Sequence, residues 1–306
     1  MKVLVVGAGA TGGFFGARLV QAGGDVTFLV RPRRAEALRE RGLRLTGLGE
    51  EEVLTPQLAT AGGLSEPYDL ILLSVKAAAM HSAVADLAPA VGPDTALLPV
   101  LNGMAHLDDL NARFGTARVL GGVAKVVTTL NDDGDIVRLA PLAQLAVGEQ
   151  DGRLSPRVEE FAALLRTAGV DADASADIVA AMWHKWVFIA TLGALTCLMR
   201  GTVADINAVP GGPALGPAIL AEAASVSAAA GFPVPDAELT ATKELVTRTD
   251  VPFAPSMYRD VVAGRPAEAE HILADLVSRA RGLSVATPLL DLATLHLRVH
   301  QHRVSA

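Results

Sequence analysis

Three glycines near the start of the chain, Gly7, Gly9 and Gly12, stand in G-x-G-x-x-G spacing, with Ala8, Ala10 and Thr11 between them. They follow at once on Lys2 to Val6, a β-branched apolar run with the composition of a buried parallel strand. Phe14 to Gln21, just after them, reads as the first turns of a helix. In that context each glycine has a task. Gly7 makes the tight turn off the strand, Gly9 lets a pyrophosphate approach the backbone, and Gly12 lets helix and strand pack closely. The helix N-terminus adds free N–H groups and a partial positive charge for the same anion. The chemistry indicated is the binding of a dinucleotide.

Arg31 ends the next apolar run, Asp25 to Val30, and is followed by Pro32, Arg33 and Arg34. A site for NAD carries Asp or Glu there, to accept from the adenine ribose hydroxyl. A guanidinium instead suits a 2′-phosphate, through paired, charge-assisted hydrogen bonds. NADP(H) is therefore the predicted cofactor, with Arg31 the main contact. Lys76 closes the strand-like run Tyr68 to Val75, and Asn102 follows the run Thr95 to Val100. Ligands of open α/β sheets sit beyond the carboxyl ends of the strands, where Gly7, Arg31, Lys76 and Asn102 all fall.

These residues need a scaffold. Alternating strands and helices run to about Ala174, predicting an α/β fold with a Rossmann-type, doubly wound sheet. Ala35 to Arg41 and Ala77 to Leu87 read as helices. Gly42 to Gln57 reads as a β excursion. Val119 to Leu130, Ile136 to Leu139 and Ala143 to Gly148 read as a meander continuing the sheet. Ser155 is the expected N-cap of a helix to Ala168, with Pro156 at its first position. Gly169 to Ala174 would be an edge strand or a connection. From there the strands stop. Ile178 to Arg200, Gly216 to Ala230, Asp236 to Thr247, Ala267 to Gly282 and Pro288 to His302 read as helices. The expected division is thus residues 1–174, binding the dinucleotide, and 175–306, an all-helical substrate and catalytic domain, with the cleft between them as the site.

Composition limits the function. The chain has 306 residues, a formal charge of −7 and one cysteine. The acidic balance and lack of a basic block argue against nucleic acid. Trp186 to Leu198, the longest apolar run, is too short and interrupted to span a bilayer. No basic-then-apolar leader opens the sequence. Cys197 cannot form an internal disulfide and has apolar neighbours, which fits a buried thiol in a reducing compartment. A cytoplasmic enzyme with a small-molecule substrate, no membrane partner and no metal is expected. The Ala-rich helical faces could pair two copies.

The chain resembles the ketopantoate reductase (2-dehydropantoate 2-reductase) family from end to end. The resemblance rests on GAGATGG (7–13), Arg31, SVKA (74–77), LNG (101–103), WHK (183–185) and SMYRDVVAGRPAEAE (256–270). It implies NADPH-dependent reduction of a 2-oxo acid to a 2-hydroxy acid, as in pantothenate biosynthesis. The implied fold joins a Rossmann domain to a helical domain of the 6-phosphogluconate dehydrogenase-like type. Carried over, Lys185 matches the catalytic lysine, which hydrogen-bonds the ketone oxygen and supplies its proton. Hydride addition develops alkoxide charge, which an ammonium stabilises. A lysine flanked by Trp183, Trp186 and Phe188 is costly to bury unless a ligand meets it. Asn102 matches a residue near nicotinamide and substrate, and Lys76 one at the cofactor and substrate mouth. Ser256 matches a contact to the carboxylate end. Glu268 matches a glutamate that bonds the reacting oxygen, the lysine or a cofactor ribose.

Two positions depart from the family. Four and eight residues after the lysine, on its own helix face, the family usually has Asn; here stand Ile189 and Gly193. The substrate face there loses polar groups, which bears on specificity more than on reaction type. A paralogue reducing a more apolar or bulkier 2-oxo acid is the reading. The alternatives are a reductase of an unrelated ketone or imine and an NADPH-binding regulatory protein without turnover. His184 and His271, beside the lysine and glutamate, are candidate proton relays.

Overall fold

In the computed structural model, which describes residues 1–305, the chain separates into two compact units. One is Met1–Leu101 with His106–Val179; the other is Asn102–Ala105 with the residues from Ala180 onward. Contacts thus divide the chain after Val179, where composition placed the change at 174, and they assign Asn102–Ala105 to the helical unit.

The first unit runs β1 (Lys2–Val6), α1 (Ala10–Gln21), β2 (Asp25–Leu29), α2 (Pro32–Arg41), β3 (Leu43–Gly47), β4 (Glu50–Leu54), β5 (Gln57–Ala59), β6 (Leu70–Leu73), α3 (Met80–Leu87) and β7 (Ala96–Pro99). α4 (Ala105–Phe114), β8 (Leu120–Leu130), β9 (Ile136–Glu149), α5 (Pro156–Thr167) and β10 (Asp171–Ala174) follow. β5, β2, β1, β6 and β7 form, in that order, a parallel sheet. Strand order reverses beside β1, so the glycine loop leaves the sheet at its topological switch point. The strands bury nearly every residue, as in a sheet covered on both faces.

The meander touches this sheet only at its start, where Val119 bridges in parallel to Leu97 of β7. It builds a second one, ordered β10-β9-β3-β4 with β8 on β9. The β3–β4 hairpin offers an edge, and β9 pairs with it in parallel through Leu45↔Ile136 and Thr46↔Val137. β9 is also one strand where two were expected. Pro141, which lacks a ladder donor, sits in the irregularity opposite Val126–Thr128, and pairing resumes beyond it.

α1 packs against strands of both sheets, which explains its composition. A Cβ on Gly13 would lie 2.5 Å from Ile136 Cδ1, and one on Gly16 2.5 Å from the Phe28 ring. Only a helix with a glycine surface fits between two layers of large side chains. Other departures are local. α1 and α2 begin a turn earlier than read, because Gly9 and Pro32 open them. α3 is preceded by a 3-10 turn at Ala77–Ala79. Ser155 is the N-cap residue of α5 as expected, but its side chain does not cap, because the hydroxyl donates to Glu149 Oε1 at 2.6 Å.

The second unit is helical. α6 (Ile178–Met199) is followed by α7 (Val203–Asn207), α8 (Gly212–Ala229), α9 (Asp236–Val246), α10 (Ser256–Val262), α11 (Asp275–Gly282) and α12 (Pro288–Ser305). A π-helical turn, Glu270–Ala274, leads into α11. The short helices α4, α7 and α10 were not legible in the sequence. α6 corrects a further expectation, since its length and composition alone would allow it to cross a membrane. However, 61% of its most apolar window is buried inside the fold, as befits a core helix.

Candidate active site

In the first unit the glycine loop has the geometry of a dinucleotide cradle. Gly7 has φ +97°, and a Cβ there would lie 2.7 Å from Ser74 O. A Cβ on Gly12 would run into Gly7 O and Ser74, so helix and strand touch at that point. Gly9 differs, because a Cβ there would meet nothing within 4 Å. The space over Gly9 is open, as an approaching pyrophosphate requires. Ala10, Thr11 and Gly12 form the first turn of α1, whose N-cap Gly9 has no side-chain cap and whose first turn holds no acid. The backbone N–H groups of that turn are the natural anion donors. The residues present therefore fit a dinucleotide.

Arg31, at the carboxyl end of β2, is exposed as the N-cap of α2. Arg33 is exposed too. Arg34 turns inward, and its guanidinium donates to Ala8 O at 3.2 Å and Gly134 O at 2.9 Å. Burial pushes its pKa down, while nearby Asp135 works the other way. Arg34 thus braces the glycine loop against the β8–β9 turn, a role the sequence did not disclose. Lys76 is exposed beyond the end of β6.

The second unit gathers most of the remaining candidates around α6. Lys185 is half-buried rather than buried. Its neighbours Trp183 and Trp186 pack with ring centroids 5.0 Å apart, and the Arg279 guanidinium lies 5.9 and 5.6 Å from the two rings. The Trp186 indole N–H donates to Ile272 O at 2.8 Å. Ile272 N–H donates to the backbone carbonyl of Glu268 at 3.1 Å, which puts half-buried Glu268 one turn away. Gly103 has φ +82°, and a Cβ there would collide with His271 O. That close approach sets Asn102, also half-buried, beside the same turn.

Gly193 is buried, and a Cβ on it would lie 3.2 Å from both Sδ and Cε of Met257. The structure so brings α10, with exposed Ser256 at its first position, to α6 two turns beyond Lys185. Gly193, which the sequence reading assigned to the substrate face, thus lies under the Met257 thioether. Ile189, between Lys185 and Gly193, is half-buried. Met257 was missed although it adjoins Ser256 in sequence; nothing in a lone methionine announces its packing partner.

The His184 ring is held by Pro233 O, 3.2 Å from Nε2, and lies 3.5 Å from Glu238 Oε1. Burial pushes the Cys197 thiol up to about 12, so it stays protonated and inert. Among the described residues no group of three or more His, Cys, Asp or Glu could hold a metal ion.

Comparison with known proteins bears on this arrangement. The family description "Ketopantoate reductase PanE/ApbA" matches residues 3–152, and its C-terminal counterpart matches 177–301. An uncharacterized oxidoreductase of Bacillus subtilis, YkpB, is 29% identical over 301 residues, covering 98% of this chain and 99% of that one. The crystal structure of 2-dehydropantoate 2-reductase from Methylococcus capsulatus superposes with a TM-score of 0.88 at 30% identity, over 100% of this chain and 98% of the other. D-mandelate dehydrogenase, solved with NADH and anilino(oxo)acetate, shares the fold at a TM-score of 0.90 and 22% identity, over the whole of both chains.

Proposed function

Because the chain belongs to the ketopantoate reductase family of NADPH-dependent oxidoreductases, we propose that it reduces a 2-oxo acid to the 2-hydroxy acid. Gly7 to Gly12 would hold the pyrophosphate, and Arg31 the 2′-phosphate. When bound, the reduced nicotinamide supplies hydride to the carbonyl carbon. Lys185 hydrogen-bonds the carbonyl oxygen through Nζ–H, stabilises the alkoxide charge and delivers the proton that completes the hydroxyl. Glu268 bonds the reacting oxygen, the Lys185 ammonium or a cofactor ribose. Asn102 and Lys76 border cofactor and substrate, and Ser256 receives the carboxylate end.

One observation carries this reading. The fold draws Asn102, Lys185, Glu268 and the helix of Ser256 to one stretch of α6, although the sequence scatters them. For the substrate, we propose an apolar or bulky group beside the reacting carbonyl. Ile189 and the Met257 thioether offer that group neither donor nor acceptor. We place the enzyme in the cytoplasm, with two copies pairing through the helical unit. The exposed row Leu292, Leu295 and Val299 on α12 supports that pairing.

Steady-state turnover over a panel of 2-oxo acids tests the proposal. Lys185→Ala should lower kcat by about 10²–10⁴-fold with NADPH affinity unchanged; an unaltered kcat removes the lysine from its role. A kcat/KM for ketopantoate about a thousandfold above every apolar 2-oxo acid would overturn the substrate class. NADPH binding without oxidation by any 2-oxo acid, ketone or imine would point to a regulatory protein.

A further inference from the structure

Three residues assigned roles above lie in segments far apart in sequence, and a single unusual turn touches all three segments. The π-helical turn Glu270–Ala274 is the only turn of its kind among the described residues. A turn with one extra residue cannot satisfy all its carbonyls by regular helical bonds, and such turns concentrate at functional sites. Here one of its carbonyls accepts from outside the helix, and a second lies in close backbone contact with another segment. Ile272 O accepts the indole N–H of Trp186 at 2.8 Å, and Trp186 is the residue after Lys185. His271 O packs against Gly103 so closely that a Cβ there would collide with it, and Gly103, with its positive φ, is the residue after Asn102. At its leading edge the turn is anchored to the segment of Glu268, through Ile272 N–H to Glu268 O at 3.1 Å.

Resting on the reductase reading, we propose that this turn is the jig of the reaction centre, and that Trp186 and Gly103 are its positioning residues. A regular α-turn would have one residue fewer and would rotate the following carbonyls by about 100°. It could not present both Ile272 O and His271 O to their partners. The extra residue is thereby tied to the mutual placement of Lys185, Asn102 and Glu268. Trp186 suits the task because its ring is locked by Trp183 at 5.0 Å and by Arg279 at 5.6 Å, so its N–H has one direction. Neither Trp186 nor Gly103 needs to touch substrate.

The test is Trp186→Phe, which keeps an aromatic ring but removes the donor together with part of the ring volume. Wild-type turnover on the substrate panel is the control that judges the reductase reading. Given turnover, Trp186→Phe should lower kcat by about 10- to 100-fold. The basic limb of the kcat–pH profile should move as the lysine's surroundings change, while NADPH affinity stays near wild type; the melting temperature falls from the lost ring volume and is not the readout. Gly103→Ala should reproduce the fall in kcat. A crystal structure of Trp186→Phe supplies a readout independent of activity, with the turn expected to shift register toward a regular helix. An unchanged kcat and pH profile in both variants, or a π-turn that persists with Lys185 and Asn102 unmoved, would overturn the proposal.

Discussion

Arg31 and Arg34 show how three positions along one helix separate two jobs that look alike in sequence. Arg31 is exposed at the end of β2, while Arg34 spends its donors on Ala8 O and Gly134 O. Arg31→Ala should therefore weaken NADPH by about 10- to 100-fold and leave NADH unaffected, since only the 2′-phosphate loses its charge-assisted bonds. Arg34→Ala should weaken both cofactors alike, because it loosens the loop that holds the pyrophosphate. Fluorescence titration with each nucleotide separates the two, and a phosphate-selective effect at Arg34 would merge their roles. The sequence showed three arginines within one R-P-R-R stretch; which of them turns inward depends on the distant β8–β9 turn.

The helices of the second unit lean on one another at their ends. Glu222 of α8 accepts from Leu289 N–H at 3.0 Å and from Leu290 N–H at 3.0 Å, capping α12 from another element. A carboxylate there satisfies orphan donors and faces the positive end of the helix dipole. Glu222→Ala should destabilise the protein by about 1–2 kcal/mol, and Glu222→Gln, which keeps an acceptor, by less. Urea unfolding of both variants checks this; equal losses would mean packing rather than capping. Gly193 and Met257 form the corresponding contact between α6 and α10. Helix periodicity located α6 and α12 well because each is long, and α9 well although it has only 11 residues. It missed α7 and α10, whose few residues carry too little pattern to stand out from a loop.

At the level of the whole molecule, acid stability should be set partly by Glu149. Its side chain is 5% exposed, and burial alone would raise its pKa, but bonds from Arg157 and Ser155 outweigh this and hold it below the ordinary carboxylate value. A depressed folded-state pKa gives stability that is present above the unfolded value, about 4.3, and is lost as pH falls through the folded one. The denaturation midpoint should accordingly drop on acidification below about pH 4.3, and less steeply in Glu149→Gln. Parallel pH curves for the two proteins would assign the acid limb elsewhere.

The sequence by itself determined the glycine cradle, the arginine that suits NADP(H), the α/β-then-helical order and the family. Each of these is written in contiguous residues, where a turn, a strand end or a motif obeys local rules. Only the tertiary structure decided that the meander builds a second sheet on the β3–β4 hairpin, that Met257 fills the notch of Gly193, and that one π-turn meets both Trp186 and Gly103. Those are contacts between distant segments, chosen by which edges and cavities remain after the local elements form, and no spacing along the chain encodes them.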